Sequence, residues 1–404
     1  MKLNNRIDPR RVQAGFSLIE LMVASAVGLI LTLAVTGSVL TVGRQFSVLS
    51  ANVGAQGSAQ IALSLMDAAG RSAGAGFFNN GRLICANWNA YNGTAVVSDG
   101  AAFMPARIVG GASATASDSV IFTAATGAGA LSAVPLVDTE AGATYRVSSG
   151  GTLATNDLAL VGVPGSTQPC LLIQVGNVST TAGCGGNATS CTNLVRPPNT
   201  GLNAPNGSFS TNPTFGFAAG GGVTGPAVVA RVGSAAGGFR QDGFTVQCNS
   251  LVRFNSFTTP TAPACTASPL GFGTGVDAIA TEIVLMQAQY GISSSGASDI
   301  VTSWVEPTGV VWGGSPTPDN VARIKAIRIV LVARSRDADA EMVSAPCTNV
   351  GGVANTGPCS FQDAAAPVVD LSATSVAAGR TWRNYRYRVH KAVIPLRNVI
   401  WSDS

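Results

Sequence analysis

The apolar and polar residues of this chain follow two very different patterns. A run without charged residues extends from Leu21 to Val42, between Glu20 and Arg44. That length suffices for a membrane-spanning helix, which needs about 20 mainly apolar residues. Beyond Phe77, short runs rich in Val, Ile, Leu and aromatic residues alternate with clusters of Gly, Pro, Asn and Ser, as in strands joined by turns. The pattern predicts one long helix followed by a β-rich domain.

The helix is expected to continue beyond the uncharged run, to about Arg71. An apolar stripe with three-to-four spacing supports this extension and should pack on the domain that follows. The members of this stripe are Phe46, Leu49, Val53, Ile61 and Leu65. Three glycines are expected to close the helix. They are Gly70, Gly74 and Gly76.

Eight strands are predicted in the β-rich domain from their β-branched and aromatic content. They cover Asp118–Ala124, Ala143–Ser148, Asp157–Val163, Cys170–Val178, Phe244–Phe254, Glu282–Ile292, Ile324–Ala333 and Tyr385–Leu396. Ile324–Ala333 is apolar on both faces and should be buried on both, whereas Thr281–Gln289 also suits a short helix. The low-complexity stretches Gly183–Gly225 and Ser293–Asn320 are predicted to be long surface loops. The expected fold class is therefore α+β.

Composition favours an exported protein over a cytosolic enzyme. Charged residues make up only 11% of the chain and Gly accounts for 48 of its 404 residues, as in secreted, loop-rich β proteins. The first 15 residues contain four basic residues and Asp8, which leaves 20 Lys and Arg against 19 Asp and Glu in the remainder. This near-neutral remainder has no global field to attract nucleic acid. The basic leader instead orients the N-terminus toward the cytoplasm and the bulk of the chain outside.

All eight cysteines follow the apolar run. They are Cys85, Cys170, Cys184, Cys191, Cys248, Cys265, Cys347 and Cys359. An even number beyond a membrane span indicates an oxidising compartment and disulfide bonds, although the sequence does not fix the pairing. The simplest pairs enclose short Gly-, Pro-, Ser- or Thr-rich loops and leave one long-range bond. These pairs are Cys184–Cys191, Cys248–Cys265, Cys347–Cys359 and, at long range, Cys85–Cys170. Zinc is disfavoured because no Cys-x2-Cys spacing occurs and the single histidine, His390, is far from any cysteine.

The junction before the apolar run differs from a secretory signal, whose cleavage site follows the apolar core. Here Gly15-Phe16-Ser17-Leu18-Ile19-Glu20 precedes the core. This motif resembles the class III signal of type IV prepilins and type II secretion pseudopilins. The resemblance implies cleavage after Gly15 by a prepilin peptidase and N-methylation of Phe16. It also implies that Glu20 pairs with the N-terminal amine of a neighbouring subunit during assembly.

Four downstream segments are similar to PilW-type minor pilins. They are Asp118-Ser-Val-Ile-Phe, Gln289-Tyr-Gly-Ile, the Val- and Arg-rich strand from Ile324 to Ser335, and the closing strand from Arg386 to Asn398. The resemblance implies a pilin-like fold, with a long helix packed on an elaborated antiparallel β head. The implied segments are a leader at 1–15, a membrane and assembly half of the helix at 16–43, a head-packing half at 44–78 and the head at 79–404.

The family resemblance implies a low-abundance subunit that primes assembly of a type IV pilus with other minor pilins and ends at the fibre tip. Its partners would be these pilins, the major pilin, the prepilin peptidase and a large tip adhesin. It would lie in the inner membrane, with its head in the periplasm, before reaching the extracellular tip. One alternative is a J-type pseudopilin of a type II secretion system. An alternative of another class is a pilin whose head binds DNA or a receptor.

Two further groups of residues could form a binding site, one for nucleic acid and one for calcium. Along the last strand, Arg386, Arg388 and His390 would share one face opposite Tyr385 and Tyr387, a pattern compatible with single-stranded nucleic acid but more typical of an ordinary strand. Asp337, Asp339 and Glu341 alternate as calcium ligands could, although the run lacks the other ligands of a calcium loop. No nucleophile elbow, phosphate-binding loop or zinc motif is present, so neither catalysis nor a cofactor is expected.

Overall fold

The computed structural model describes most of the chain after the leader. The described residues are 17–79, 82–126, 133–140, 143–148, 151–182, 190–211, 213, 215, 227–237, 239–259, 266–267, 270–271, 275–314 and 316–400. Two compact units are distinguished, one ending at Gly54 and the other beginning at Ala55. The head described below belongs to the second unit.

The helices are one long element and three short ones. They are α1 (Leu18–Ser72), α2 (Gly309–Trp312), α3 (Pro318–Ala322) and α4 (Arg397–Ile400), with a 3-10 turn at Trp382–Asn384.

Twenty-four strands are described in the head. In chain order they are β1 (Phe78–Asn79), β2 (Arg82–Leu83), β3 (Asn87–Tyr91), β4 (Val96–Ala102), β5 (Ala106–Val109), β6 (Ser119–Thr123), β7 (Ala133–Glu140), β8 (Thr144–Val147), β9 (Asp157–Gly162), β10 (Pro169–Gln174), β11 (Asn177–Ala182), β12 (Ser190–Val195), β13 (Val228–Ser234), β14 (Gln241–Gln247), β15 (Ser250–Asn255), β16 (Thr266–Ala267), β17 (Leu270–Gly271), β18 (Val276–Thr281), β19 (Ile283–Ser293), β20 (Val301–Val305), β21 (Ile324–Arg334), β22 (Cys347–Thr348), β23 (Ala354–Asn355) and β24 (Tyr387–Pro395).

Three larger sheets and three two-stranded ribbons organise these strands. The sheet orders are β11-β12-β8-β7-β13-β9-β10-β3-β4, β18-β15-β14-β6-β5 and β20-β19-β21-β24. Among the described strands only β3 and β10 pair in parallel, so the sheets are largely antiparallel. The prediction of an α+β fold with one N-terminal helix and a β-rich head is confirmed.

The four-stranded sheet carries the end of α1 on one face. A single core cluster contains small residues of α1 together with residues of β19, β21 and β24 and of the neighbouring five-stranded sheet. The other face is covered by Val369 and Leu371, which pack on Leu285, Val330 and Val332. Since both faces are covered, all eleven residues of β21 are buried, as its sequence predicted.

The face of α1 that packs on the head is not the predicted stripe. Ile61 and Leu65 are 60% and 42% exposed, so their predicted packing on the head is wrong. The buried face consists of small side chains at the same three-to-four spacing, with one Met among them. Its members are Ala59, Ala62, Met66 and Ala69, and Ala73 continues this face just beyond the end of the helix. Alanines let the helix axis approach the sheet closely, and the larger contribution to the packed volume comes from sheet residues such as Ile329 and Leu331.

The predicted helix end is partly right. α1 ends at Ser72, and Gly74 and Gly76 follow with φ angles of 81° and 82°, which glycine adopts without steric cost. Gly70 instead lies inside the helix, where an added Cβ would contact Ile394 and lie 3.1 Å from a ring carbon of Phe122. The amide of Asn398 donates to the carbonyls of Arg71 and Ala73, which satisfies acceptors that the helix end leaves open.

Six of the eight predicted strands are single strands in the structure: β6, β8, β9, β19, β21 and β24. The segment Thr281–Gln289 contains the start of β19, so its helical alternative is wrong. Phe244–Phe254 is a hairpin rather than one strand, because Cys248 and Asn249 turn the chain at φ angles of 50° and 54°. The strand predicted at Cys170–Val178 ends at Gln174, and β11 begins at Asn177.

The two predicted long loops contain regular structure. Ser293–Asn320 contains β20, α2 and part of α3, and Gly183–Gly225 contains β12. β20 pairs with β19, and β12 pairs with β8 and β11. β20 is an edge strand and β12 lies beside the edge strand β11. Strands at or near a sheet edge are polar on their exposed side, so their composition resembles that of a loop.

A buried arginine joins the four-stranded sheet to the segment that follows it. Arg328, on β21, donates to Gln289 at 2.5 Å and to the Asp363 carboxylate at 2.7 Å. Its guanidinium lies between the rings of Trp304 and Phe361, 4.8 and 4.7 Å from their centroids. A buried charge is tolerated only when it is paired and hydrogen-bonded in this way.

A buried carboxylate joins the five-stranded and four-stranded sheets. Asp118, which precedes β6, accepts the backbone N–H of Gly111 at 2.8 Å and that of Ala288 in β19 at 2.7 Å. Burial raises the pKa of Asp118 to about 6, with a further contribution from Glu306, against the opposing effect of the two N–H donors. Close by, the Tyr290 hydroxyl accepts the N–H of Ile108 at 2.6 Å.

Replacing Gly70 by Ala tests the close approach of α1 to the sheet. The added Cβ forces Ile394 and Phe122 to move, and overpacking of this kind costs about 1–3 kcal/mol of unfolding free energy. The matched control is Gly57→Ala in the same helix, where nothing lies within 4 Å of the added atom. That variant should gain about 0.5–1 kcal/mol. Denaturant unfolding of the full chain in detergent measures both; a Gly70→Ala variant as stable as Gly57→Ala would refute the packing described here.

The raised pKa of Asp118 predicts a pH dependence of stability. Because the folded pKa of about 6 exceeds the ordinary aspartate pKa of 3.8, this group's contribution is fully present below pH 3.8 and is lost as the pH rises through 6. The difference in unfolding free energy between the native chain and Asp118→Asn should therefore decrease by about 3 kcal/mol from pH 3.5 to pH 7. The exposed Asp337→Asn serves as control. A difference for Asp118→Asn that does not change with pH would contradict the buried, protonatable carboxylate.

Candidate functional site: the N-terminal helix

The first turn of α1 positions the only carboxylate of the described apolar segment. Ser17 precedes the helix, and its carbonyl accepts the N–H of Leu21 at 3.1 Å. The Oε2 atom of Glu20, the third helical residue, accepts the N–H of Ser17 at 3.2 Å. This is the return contact of a capping box, and a negative charge here also complements the positive end of the helix dipole. The sequence motif indicates Glu20 only as an assembly residue, so this capping contact is seen only in the structure.

The helix that follows is uncovered and apolar. Leu18–Val39 has a mean hydropathy of 2.4 and is long enough to cross a membrane. None of the residues in its most apolar 18-residue stretch is buried. Large apolar side chains are exposed along the whole segment; Leu18, for example, is 77% exposed and Leu33 is 67% exposed. Exposure of so many large apolar side chains in water is strongly unfavourable, so the segment requires lipid or protein around it.

The hydroxyl groups of this segment are satisfied inside the helix. Ser25 donates to the carbonyl of Met22, Thr32 to those of Gly28 and Leu29, Thr36 to that of Thr32, and Ser38 to that of Ala34. Polar groups with internal partners are compatible with a hydrocarbon environment, where water is absent. Glu20 is therefore the one charged group between Ser17 and Val39.

The predicted processing residues, Gly15 and Phe16, lie outside the described residues. Three of the five stripe residues cannot be assessed either, because Phe46, Leu49 and Val53 fall where side chains are not described. The structure thus tests the helix that follows the junction and not the junction itself.

Two of the four predicted disulfide bonds are confirmed. Cys85 is bonded to Cys170 and Cys347 to Cys359, each with a Cα–Cα distance of 5.5 Å. Cys191 and Cys248 are also disulfide-bonded, but their predicted partners Cys184 and Cys265 lie outside the described residues. The Cys85–Cys170 bond joins the start of the head to β10 in the nine-stranded sheet, and Cys347–Cys359 closes the ribbon β22-β23.

The basic residues of the last strand do not form an aromatic binding surface. Tyr385 is buried, with the Arg334 guanidinium 4.6 Å from its ring, and Tyr387 donates its hydroxyl to the carbonyl of Trp382. On the other face Arg386 is paired with Asp339 at 3.0 Å. His390 has its pKa lowered by burial and by the charge of Arg388. With the rings packed inward, the strand has the geometry of an ordinary edge strand.

The acidic residues Asp337, Asp339 and Glu341 are not assembled around a common point. The Asp339 carboxylate faces Arg386, while Asp337 and Glu341 are exposed. Within the part of the chain that the structure describes, no group of three His, Cys, Asp or Glu side chains is placed to hold a metal ion. The calcium site remains a prediction of the sequence pattern only.

Two known families match this chain, one near each end. Residues 10–36 match the prokaryotic N-terminal methylation motif, and residues 269–398 match the type IV pilus-assembly protein W family, PilW. Together these matches support a PilW-type type IV pilin. Searches of curated proteins and of solved structures found no match. The two matches cover less than half of the pilin, and β3 to β15, which include the nine-stranded sheet, lie between them.

The PilW match contains part of the head surface on which α1 packs. It contains all four strands of the sheet β20-β19-β21-β24 and the Cys347–Cys359 ribbon. The methylation motif contains the capped first turn and the start of the apolar span. The family is one of structural pilus components, which agrees with the absence of catalytic motifs from the sequence. The same sequence could have shown the alanine face, because residues 59, 62, 66, 69 and 73 have helical spacing.

Proposed function

We propose that the chain is a minor pilin that primes assembly of a type IV pilus and resides at the fibre tip. In this proposal residues 1–15 are a leader removed by prepilin peptidase, and Phe16 becomes the N-methylated first residue. Residues 16–43 hold the subunit in the inner membrane with the head, 79–404, in the periplasm, and 44–78 link the two. Other minor pilins, the major pilin and a large tip adhesin are its partners.

The observation that supports this proposal best is the uncovered apolar span with one carboxylate at its start. A purely anchoring helix needs no charge, and a carboxylate in a membrane costs about 2.5–3.5 kcal/mol on insertion scales. The span is equally suited to lipid before assembly and to apolar helices of other subunits afterwards, because all its described hydroxyls are bonded internally. A single subunit thus has the properties of both a membrane protein and a fibre component.

Glu20 has the geometry for a partner from another subunit. Its Oε2 atom is engaged by Ser17, whereas in the described part of the chain its Oε1 atom accepts no hydrogen bond. An N-terminal amine brought alongside would add a charge-assisted hydrogen bond and neutralise the carboxylate. A neighbour displaced along the helix axis could supply this amine from its Phe16. The pairing would then favour one stagger of subunits over others.

Processing provides the first test. Chain recovered from membranes or fibres should begin at N-methylated Phe16, as measured by mass spectrometry of the N-terminal peptide. Gly15→Leu should leave the precursor uncut, because a bulky side chain replaces the small residue at the junction. Gly28→Ala in the span is the control and should be cut normally. A mature chain that begins beyond Val39 would refute the proposal, because the span would then be lost.

Glu20 provides the second test. Glu20→Gln removes the charge but leaves an oxygen for the Ser17 N–H, whereas Glu20→Ala removes both. Both variants should insert and be cleaved, and both should lower co-purification of other minor pilins and the number of surface pili by at least about tenfold, if the pairing is worth the 1.5–3 kcal/mol of a charged hydrogen bond. Ser38→Ala is the control from the same helix. Wild-type recruitment and piliation in both Glu20 variants would exclude the pairing, and a defect in Glu20→Ala alone would assign Glu20 to helix capping.

A further inference from the structure

A hollow of about 620 Å³ opens on the head within the segment that matches PilW. We name it the Trp382 hollow. Its walls include Met342, Thr374, Val376, Arg380, Trp382 and Arg383. The volume falls within the usual range of small-ligand sites, and its lining combines apolar side chains with a few polar ones, as such sites do. The pilus-assembly role proposed above does not use it.

The walls of the hollow are fixed by hydrogen bonds. The carbonyl of Arg383 accepts the N–H groups of Val343 and Ser344 at 2.8 and 3.0 Å. Asn384 donates to the carbonyls of Asp339 and Glu341, and its Oδ1 atom accepts the N–H of Thr381 at 3.0 Å. These contacts hold the 3-10 turn at Trp382–Asn384 against the segment that carries Met342. The two sides of the hollow are therefore preorganised.

Two guanidinium groups at the hollow, those of Arg380 and Arg383, have N–H donors without an acceptor among the described residues. Arg383 lies over the Trp382 ring, 5.5 Å from its centroid, and forms no hydrogen bond or ion pair through its side chain among the described residues. Arg380 donates one N–H to the carbonyl of Ala340 at 3.0 Å and has no acidic partner in the described ranges. The nearby Asp370 carboxylate is engaged by Thr356 and by the N–H of Ser372. The hollow therefore carries a net positive charge, and Arg383 is oriented by the ring without being neutralised.

This chemistry selects an anion attached to a hydroxylated body. A guanidinium with free N–H groups binds a carboxylate through two parallel hydrogen bonds. The hydroxyl of Thr374 can exchange hydrogen bonds with ring hydroxyls, and Met342, which is 65% exposed, offers an apolar surface to the C–H face of a sugar ring. Stacked nucleic-acid bases are disfavoured because Arg383 already covers the Trp382 ring. A peptide would need main-chain partners, and the Arg383 carbonyl is already used.

We propose that the Trp382 hollow binds a carboxylate-bearing sugar, such as a uronic acid unit of an extracellular polysaccharide. Arg383 binds the carboxylate, Arg380 adds a second positive charge, and the Thr374 hydroxyl and Met342 contact the ring. The site would give the head a direct contact with acidic polysaccharide. This inference does not depend on pilus assembly, since it concerns the head of a single chain.

The test is a calorimetric titration of the full chain in detergent micelles. The probes are an oligogalacturonate, a neutral oligosaccharide of the same length and a single-stranded oligonucleotide of similar charge. The variants are Arg383→Gln and, as control, Arg388→Gln, which removes an exposed arginine on β24 outside the hollow. The oligogalacturonate should bind saturably, Arg383→Gln should weaken its binding about tenfold or more, and Arg388→Gln should change it less than about twofold.

Four outcomes would overturn the proposal. They are no saturable binding of oligogalacturonate at millimolar concentration, equal binding of the neutral oligosaccharide, tighter binding of the oligonucleotide, and equal effects of the two arginine substitutions. Far-ultraviolet circular dichroism and unfolding of Arg383→Gln confirm that the variant is folded. If that variant proves unfolded, Thr374→Val and Met342→Ala carry the same test, because both remove contacts to the sugar ring without altering charge.

Discussion

The apolar surface of α1 between Leu18 and Val39 is the constraint on which the rest of this architecture depends. The described chain buries none of the residues in the most apolar stretch of this surface. The helix is therefore stable only where lipid or another protein surrounds it. The internal bonding of its hydroxyls and the capping contact of Glu20 both reduce the cost of such an environment. In the proposed function, the basic N-terminal residues lie on the cytoplasmic side of the membrane and the disulfide-bonded head lies on the oxidising side.

The head depends on a different kind of packing. Alanines on α1 permit close contact with the four-stranded sheet, Asp118 joins that sheet to the five-stranded one, and Arg328 joins it to the segment that covers its other face. These contacts converge on the part of the chain that matches PilW. The nine-stranded sheet precedes that part and has two apolar clusters and a disulfide bond of its own. It is therefore a part of the head that lies outside the residues matched to PilW.

The sequence predicted those features that depend on local composition. The apolar span, the long strands β19 and β21 and the local pair Cys347–Cys359 appear as expected. The long-range pair Cys85–Cys170 was predicted as the remainder after the local pairs, and it also appears. The head-packing face of α1 was missed because small residues contribute little to an apolar stripe, although their spacing is helical. The turn at Cys248 was not predicted because a positive φ angle does not change the pattern of apolar and polar residues. The order of strands within the sheets and the Trp382 hollow depend on contacts between distant segments, which one sequence does not reveal.

The central claim is that other pilin subunits cover the apolar span of α1 in the assembled fibre. A photo-crosslinking amino acid in place of Leu31, which is 59% exposed, tests it most directly, with the same amino acid at the exposed Val310 of the head as control. In membranes of cells that cannot assemble pili, Leu31 adducts should contain lipid. In purified fibres they should contain another pilin subunit. Fibres that lack the chain, or Leu31 adducts with lipid alone under both conditions, would contradict the account.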